Sequence, residues 1–330
     1  MAALPGLAAP LPAIASILLV ALSAQPPPPR PYDPMAASAA AFATHDLVVR
    51  DDQRGREIPI LVYLPAAGRA PVVLFSHGLG GSREMGRYLG EHWARRGYAA
   101  VFLQHPGSDA DLWRGKPPGR GRPALVSAAS VENFVARIQD VGAVLDQLER
   151  WQQSESPLRG RLDLNHVGMA GHSFGAITTQ AVSGQRFPLG AFAPDARVKA
   201  ALPMSPSPPQ RGSAGTAFSR VRIPWLVMTG TLDSSPIGDT SAAARREVFA
   251  ALPPAFKYEL VLDGAEHSAF TDRALPGDRA PRNPNHHRAI LALSTAFWDA
   301  YLRQDAAARK WLDGPGPRSV LQPRDSWRTK

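Results

Sequence analysis

Residues 171–175 read Gly-His-Ser-Phe-Gly, preceded by the apolar run Val167-Gly168-Met169-Ala170 and followed by Ala176-Ile177-Thr178-Thr179. That order predicts a strand, a sharp turn and a helix start. A serine at such a turn holds its Oγ clear of the chain, and the two glycines leave room for the turn because they lack a Cβ. The helix N-terminus that follows aims free backbone N–H groups at any oxyanion forming beside the serine. The chemistry in view is nucleophilic attack on a carbonyl. Glycine makes up near 7% of average sequences, so such a pentapeptide arises by chance in roughly one chain of this length in ten, and its partners must decide.

A serine hydroxyl needs a general base, itself oriented by a carboxylate. Of nine histidines, His267 lies in Asp263-Gly264-Ala265-Glu266-His267-Ser268, just beyond an apolar run ending at Leu262, where a loop would present it. Asp233 follows the run Leu226-Val227-Met228-Thr229-Gly230-Thr231-Leu232 and is the expected carboxylate, ahead of Asp195, Asp239, Asp263 and Glu266. An oxyanion hole needs two backbone N–H donors. Phe174, directly after the serine, is one. Leu79, in the turn His77-Gly78-Leu79-Gly80-Gly81, is the other, since Gly78 before it lets the backbone swing inward. His77, Gly78, His172 and His105 are expected to line the substrate site. His286 and His287 are adjacent on a helix and point in different directions, and no metal site is expected.

The elements that must carry these residues alternate in type. His45–Arg50 and Ile58–Leu64 read as a β-ribbon around Asp51-Asp52-Gln53-Arg54-Gly55. Pro71–Ser76, Tyr98–Leu103, the run before Ser173, Val198–Pro203, Trp225–Gly230 and Tyr258–Leu262 are short apolar runs, as strands buried on both faces would be. Between them, Met85–Arg96 and Ser130–Trp151 carry helical spacing, the latter with Phe134, Ile138, Val141, Leu145 and Leu148 on one face, and His287–Leu302 is a closing helix. Alternating strands and helices imply a mostly parallel central sheet covered by helices on both faces, with ligands at the carboxyl ends of strands. Each proposed site residue falls at such an end.

The remaining composition narrows the options. With 330 residues the chain can bury one large core, and with no cysteine it has neither disulfides nor a thiol nucleophile. The net charge of +9 comes from a strong bias to arginine, without the patterned patches of a nucleic-acid binder, so no nucleic acid is expected as a partner. The one dense basic cluster is Arg114, Lys116, Arg120 and Arg122, in a Pro/Gly-rich loop. The apolar stretch Ala13–Leu22, followed by Ser23, Ala24 and a run of prolines, reads as a signal peptide over residues 1–24 although no basic residue precedes it. Residues 25–44 then form a Pro/Ala-rich linker, 45–312 the folded domain and 313–330 a C-terminal tail. A periplasmic or secreted protein without an integral membrane anchor is expected; translation from Met35 would leave a cytoplasmic one.

On the turn S-H-G-L-G-G-S, the elbow G-H-S-F-G, the strand end T-G-T-L-D and the loop G-A-E-H-S, the chain resembles the α/β-hydrolase superfamily from about Leu47 to Leu312. The order Ser173, Asp233, His267 is that superfamily's order. Within it the chain resembles bacterial esterases related to platelet-activating factor acetylhydrolase, predicted dienelactone hydrolases and cutinase-like polyester hydrolases. The resemblance implies an α/β-hydrolase fold without a large cap domain, a Ser-His-Asp triad and a covalent acyl-enzyme. It also implies a small-molecule or lipid ester as substrate and no cofactor. True dienelactone hydrolases use a cysteine, which this chain lacks. A lipase, a polyester hydrolase and a non-catalytic ligand-binding member of the fold are the alternatives.

Overall fold

The computed structural model describes residues 1–2, 31–36, 41–115, 117, 121–187, 192–275 and 277–330. Residues 3–24 of the expected signal segment, half of the linker, and Lys116 and Arg120 of the basic cluster lie outside the described residues. In chain order the elements are β1 (Phe42–Asp51), β2 (Arg56–Pro65), β3 (Ala70–Ser76), α1 (Arg87–Arg96), β4 (Ala99–Leu103), α2 (Gly121–Ala128), α3 (Val131–Gln153), β5 (Leu162–His172) and α4 (Phe174–Val182). They continue as β6 (Val198–Met204), α5 (Ala214–Phe218), β7 (Trp225–Leu232), α6 (Ala242–Ala251), β8 (Lys257–Glu266), α7 (Pro284–Leu302), α8 (Ala306–Asp313) and β9 (Ser326–Thr329).

The strands make one sheet in the order β1-β2-β4-β3-β5-β6-β7-β8-β9. β3 through β8 run parallel, while β1, β2 and β9 pair antiparallel at the edges. The central strands carry long apolar runs because both faces are covered. On β3, Val73 and Phe75 enter a core shared with Leu89 and Trp93 of α1 and Ile290, Leu293 and Phe297 of α7. Val72 and Leu74 enter the opposite core with Val141, Val144, Leu145 and Leu148 of α3. A third cluster packs Trp225 and Val227 of β7 against Phe218 of α5 and Val248 and Phe249 of α6. This three-layer arrangement is the α/β-hydrolase fold. Between β4 and α3 the described residues hold only a short 3₁₀ turn, Ala110–Leu112, and α2.

Residues Tyr32–Lys330 form one compact unit, so the folded part reaches past both boundaries expected from the sequence. The expected tail, 313–330, contains a 3₁₀ turn, Gly316–Ser319, and the last strand. β9 caps the otherwise bare edge of β8, with Trp327 stacked on Tyr258 at 5.5 Å and Arg328 bound to the buried Glu259 carboxylate. An edge strand presents unpaired N–H and C=O groups, and four residues are enough to cover this one. Among the described residues no helix is long and apolar enough to cross a membrane.

Candidate active site

β5 ends at His172 and α4 begins at Phe174, so the strand-to-helix turn is Ser173 alone. Its backbone stands at φ 58°, ψ −115°, a region that a non-glycine residue occupies only when its surroundings force it. The force is visible on both sides. A Cβ at Gly171 would come 2.2 Å from the Gly175 carbonyl oxygen, and one at Gly175 would come 1.9 Å from that of Ser76. Side chains at either position would push β5, α4 and β3 apart, and the turn could not close.

Ser173 Oγ lies 2.9 Å from Nε2 of His267, which opens the 3₁₀ turn after β8. His267 Nδ1–H donates to Oδ1 of Asp233 at 2.7 Å. With its proton held at Nδ1, the ring keeps Nε2 free to accept from the serine hydroxyl. Asp233 follows β7 and is fully buried. Its Oδ2 accepts from the Thr229 hydroxyl at 2.8 Å, and Nε of Arg245, from α6, lies 3.1 Å from Oδ1. Arg245 is itself anchored on the carbonyls of Asp233, Ser205 and Pro206 at 2.7, 2.7 and 2.9 Å. Burial alone would push the Asp233 carboxyl up. The His267 hydrogen bond and the charges of His267 and Arg245 outweigh it and hold the group at about 2, so it is ionised.

The turn after β3 presses on this elbow. A Cβ on Gly78 would sit 3.4 Å from Ser173 Cβ and 3.3 Å from His172 Nδ1. Leu79 and Phe174 are both half-buried, and among the described residues neither backbone N–H has a hydrogen-bond partner. His172 donates from Nε2 to the His267 carbonyl at 3.0 Å, with the two rings 4.6 Å apart. Burial, then the nearby His267 charge, pulls His172 down to about 3, so it is a neutral support under the His267 backbone.

His77 and His105, expected to line the site, stand behind it instead. Both are fully buried. His77 Nδ1–H donates to the Gly78 carbonyl at 2.6 Å, and its Nε2 accepts from the His105 N–H at 3.2 Å. His105 donates from Nδ1 to Asp140 at 2.9 Å and accepts the Ser76 hydroxyl at Nε2, also at 2.9 Å. Asp140 in turn binds Arg54 and Arg56 at 2.9 and 2.7 Å. Burial, then the Arg137 charge, pulls His105 down to about 4. These rings brace the turn because every polar atom they could offer a ligand is already engaged.

Arg137, Asp140 and Arg245 were not reached from the sequence. Arg137 had a signal: it falls on the apolar stripe of α3, at helical spacing from Val141, Val144 and Leu148, all buried. A charged residue at a core position of an amphipathic helix marks a buried polar network. Arg245 had no comparable signal, since α6 is short and alanine-rich.

The chain is 27% identical over 250 residues to "Cutinase 2" of Thermobifida cellulosilytica, covering 76% of this chain and 74% of that protein. It is 27% identical over 250 residues to "Cutinase cut1" of Thermobifida fusca, covering 76% of this chain and 61% of the length of that relative. "Cutinase 1" of Thermobifida cellulosilytica is 25% identical over 231 residues, with 68% and 75% covered. No family model matches the chain. With this sheet order and similarity to proteins named cutinases, the chain has the α/β-hydrolase fold and is an ester-hydrolysing enzyme.

Proposed function

We propose that Ser173 is the nucleophile, His267 the general base and acid, and Asp233 the carboxylate that holds the imidazole tautomer, in hydrolysis of small or lipid-like carboxylic esters. The observation that carries this reading is the unbroken chain of 2.9 and 2.7 Å contacts from Ser173 Oγ through His267 to Asp233, set on a strained elbow. His267 takes the Ser173 proton as Oγ attacks the ester carbonyl, and the N–H groups of Leu79 and Phe174 hold the oxyanion. His267 then returns the proton to the leaving alcohol, which departs and leaves an acyl-serine. Water repeats the sequence and releases the acid. No cofactor enters this scheme.

Similarity to proteins named cutinases favours a second reading, a cutinase-like hydrolase of polyesters, over an acetylhydrolase-like one. The test is labelling with a fluorophosphonate, with turnover measured on p-nitrophenyl esters from acetate to palmitate and on an insoluble polyester film. Labelling at Ser173, lost in Ser173→Ala, is the expected result. A sharp preference for acetate supports the acetylhydrolase-like reading, and film hydrolysis supports the polyester reading. A protein that neither labels nor turns over any ester is a non-catalytic binder and refutes both. Export rests on the apolar stretch Ala13–Leu22, and the mature N-terminus, read by sequencing, tests it.

A further inference from the structure

We propose that Arg137 is the positioning residue of the oxyanion hole, holding the Gly78–Leu79 peptide and Phe174 in register from behind. The proposal rests on the serine-esterase reading above and adds to it the element that holds the two N–H donors at a fixed separation.

The turn that supplies Leu79 contains Gly78, Gly80 and Gly81 and has few side chains with which to hold itself. Arg137 holds it. Its guanidinium is fully buried. Nη1 donates to the His77 carbonyl at 2.7 Å, Nε to the Ser108 hydroxyl at 2.8 Å, and Nη2 to the Ser108 carbonyl at 3.3 Å, with the Gly78 carbonyl at 3.5 Å. The Ser108 carbonyl also accepts the Gly80 N–H at 2.9 Å, so this anchor returns to the same turn. On its other side the guanidinium carbon lies over the Phe174 ring of the elbow, 4.4 Å from its centroid.

The geometry of a peptide makes this grip effective. A trans peptide is planar, so the Leu79 N–H points opposite to the Gly78 C=O. The Gly78 oxygen is held by His77 Nδ1–H at 2.6 Å, by the Gly81 N–H at 3.0 Å and by the edge of Arg137. Fixing that oxygen from behind aims the N–H outward, on the side where Gly78 meets Ser173. A fork of five donors can hold three carbonyls, a hydroxyl and a ring together; a lysine ammonium cannot. A buried charge is also a costly way to fill a helix face that, apart from Asp140, carries valine and leucine. An apolar residue would pack there more cheaply but would hold neither donor.

The test compares Arg137→Met, Arg137→Lys, Ser108→Ala and Phe174→Leu, with active sites counted by fluorophosphonate. The substrates are p-nitrophenyl acetate and its thiono analogue, whose C=S sulfur accepts hydrogen bonds poorly. The ratio of the two rates reads the oxyanion hole and is independent of how much protein is folded. For Arg137→Met, kcat per labelled site should fall about 10²-fold with KM within about threefold of wild type, and the oxo/thiono ratio should fall with kcat. Arg137→Lys should restore little of it. A variant ratio equal to wild type, at any stability, overturns the proposal. Should Arg137→Met fail to fold, Ser108→Ala and Phe174→Leu decide: each keeps both backbone donors and should lower the ratio several-fold, and unchanged ratios overturn the proposal. A wild-type protein that neither labels nor turns over would overturn the esterase reading itself, and the proposal with it.

Discussion

Replacing Asp233 with asparagine removes one charge while keeping the side chain's shape, and its neighbours decide which way the new amide faces. Oδ1 receives His267 Nδ1–H at 2.7 Å and has Arg245 Nε at 3.1 Å. An NH₂ group there would meet two N–H donors, so the amide oxygen must take that place. The NH₂ then faces the Thr229 hydroxyl, now 2.8 Å from Oδ2, which can rotate to accept it. Arg245 stays in place on three backbone carbonyls that the substitution leaves intact.

His267 therefore keeps its proton on Nδ1, and the loss is electrostatic. An imidazolium and a carboxylate about 4 Å apart attract by roughly 4 kcal/mol at an effective dielectric constant of 20, or about 10³-fold in rate. Arg245, no longer opposed, adds to that loss. Asp233→Ala removes the same charge and also leaves the imidazole free to turn, so it should be slower than Asp233→Asn by about tenfold or more. The assay is kcat/KM on p-nitrophenyl acetate per titrated site, with the His267 tautomer read from its ¹⁵N shifts. An Asp233→Asn enzyme no faster than Asp233→Ala, or with the proton on Nε2, would refute the argument that Arg245 sets the amide's orientation.

Three further outcomes follow from the surrounding structure. His105 at about 4 and His172 at about 3, against an ordinary 6.5, are bases depressed by burial, so the unfolded chain binds more protons than the folded one. Their stability contribution is complete above about pH 6.5 and falls as the pH drops toward 3, whereas Asp233 and Asp140, both at about 2 against 3.8, lose theirs only below 3.8. Urea midpoints should therefore begin to decline between pH 6.5 and 4, and a flat profile there would count against buried neutral histidines. Gly175→Ala should destabilise the protein by about 3 kcal/mol or abolish folding, because its Cβ would meet the Ser76 carbonyl at 1.9 Å; a thermal midpoint within a degree of wild type would contradict this. Arg328→Met leaves Glu259 buried without its cation, and urea denaturation should show a loss of about 2–3 kcal/mol; no loss would mean that β9 contributes no charge pairing.

The layers of the fold were legible because a parallel strand covered on both faces has to be apolar along its length. Val72–Phe75, Ala99–Leu103 and Leu226–Met228 are such runs, and no polar alternation competes with that reading. β9 was not legible: Ser-Trp-Arg-Thr has no period, and only the bare edge of β8 makes it a strand. The helices α5 and α8 are likewise too short to carry several turns of spacing, and the alanines of α6 leave its apolar face weakly marked. In the site, the short-range pieces were readable because a strained turn needs glycines at fixed offsets. Arg245 reaches Asp233 from another element, and no sequence pattern links the two.

His77 and His105 show the limit of strand-end reasoning, since both lie where a ligand-lining residue would be expected. Ser76, His105 and Asp140 form a second Ser–His–Asp chain, with the same 2.9 Å contact from serine to imidazole as at Ser173 and 2.9 Å from imidazole to carboxylate. What separates the two is position. Ser76 ends a regular strand with no exposed surface, and all three members of its chain are fully buried. Ser173 stands on a strained turn at the start of a helix and is partly exposed. A nucleophile needs access as well as a base, and of the two serines only Ser173 is partly exposed, beside the proposed oxyanion donors. Ser76→Ala should therefore leave fluorophosphonate labelling on Ser173 while lowering stability by about 1 kcal/mol through the lost hydrogen bond. Mass spectrometry of the labelled peptide decides: a label on Ser76, or labelling lost in a folded Ser76→Ala, would mean that the buried chain is part of the reacting site and not its brace.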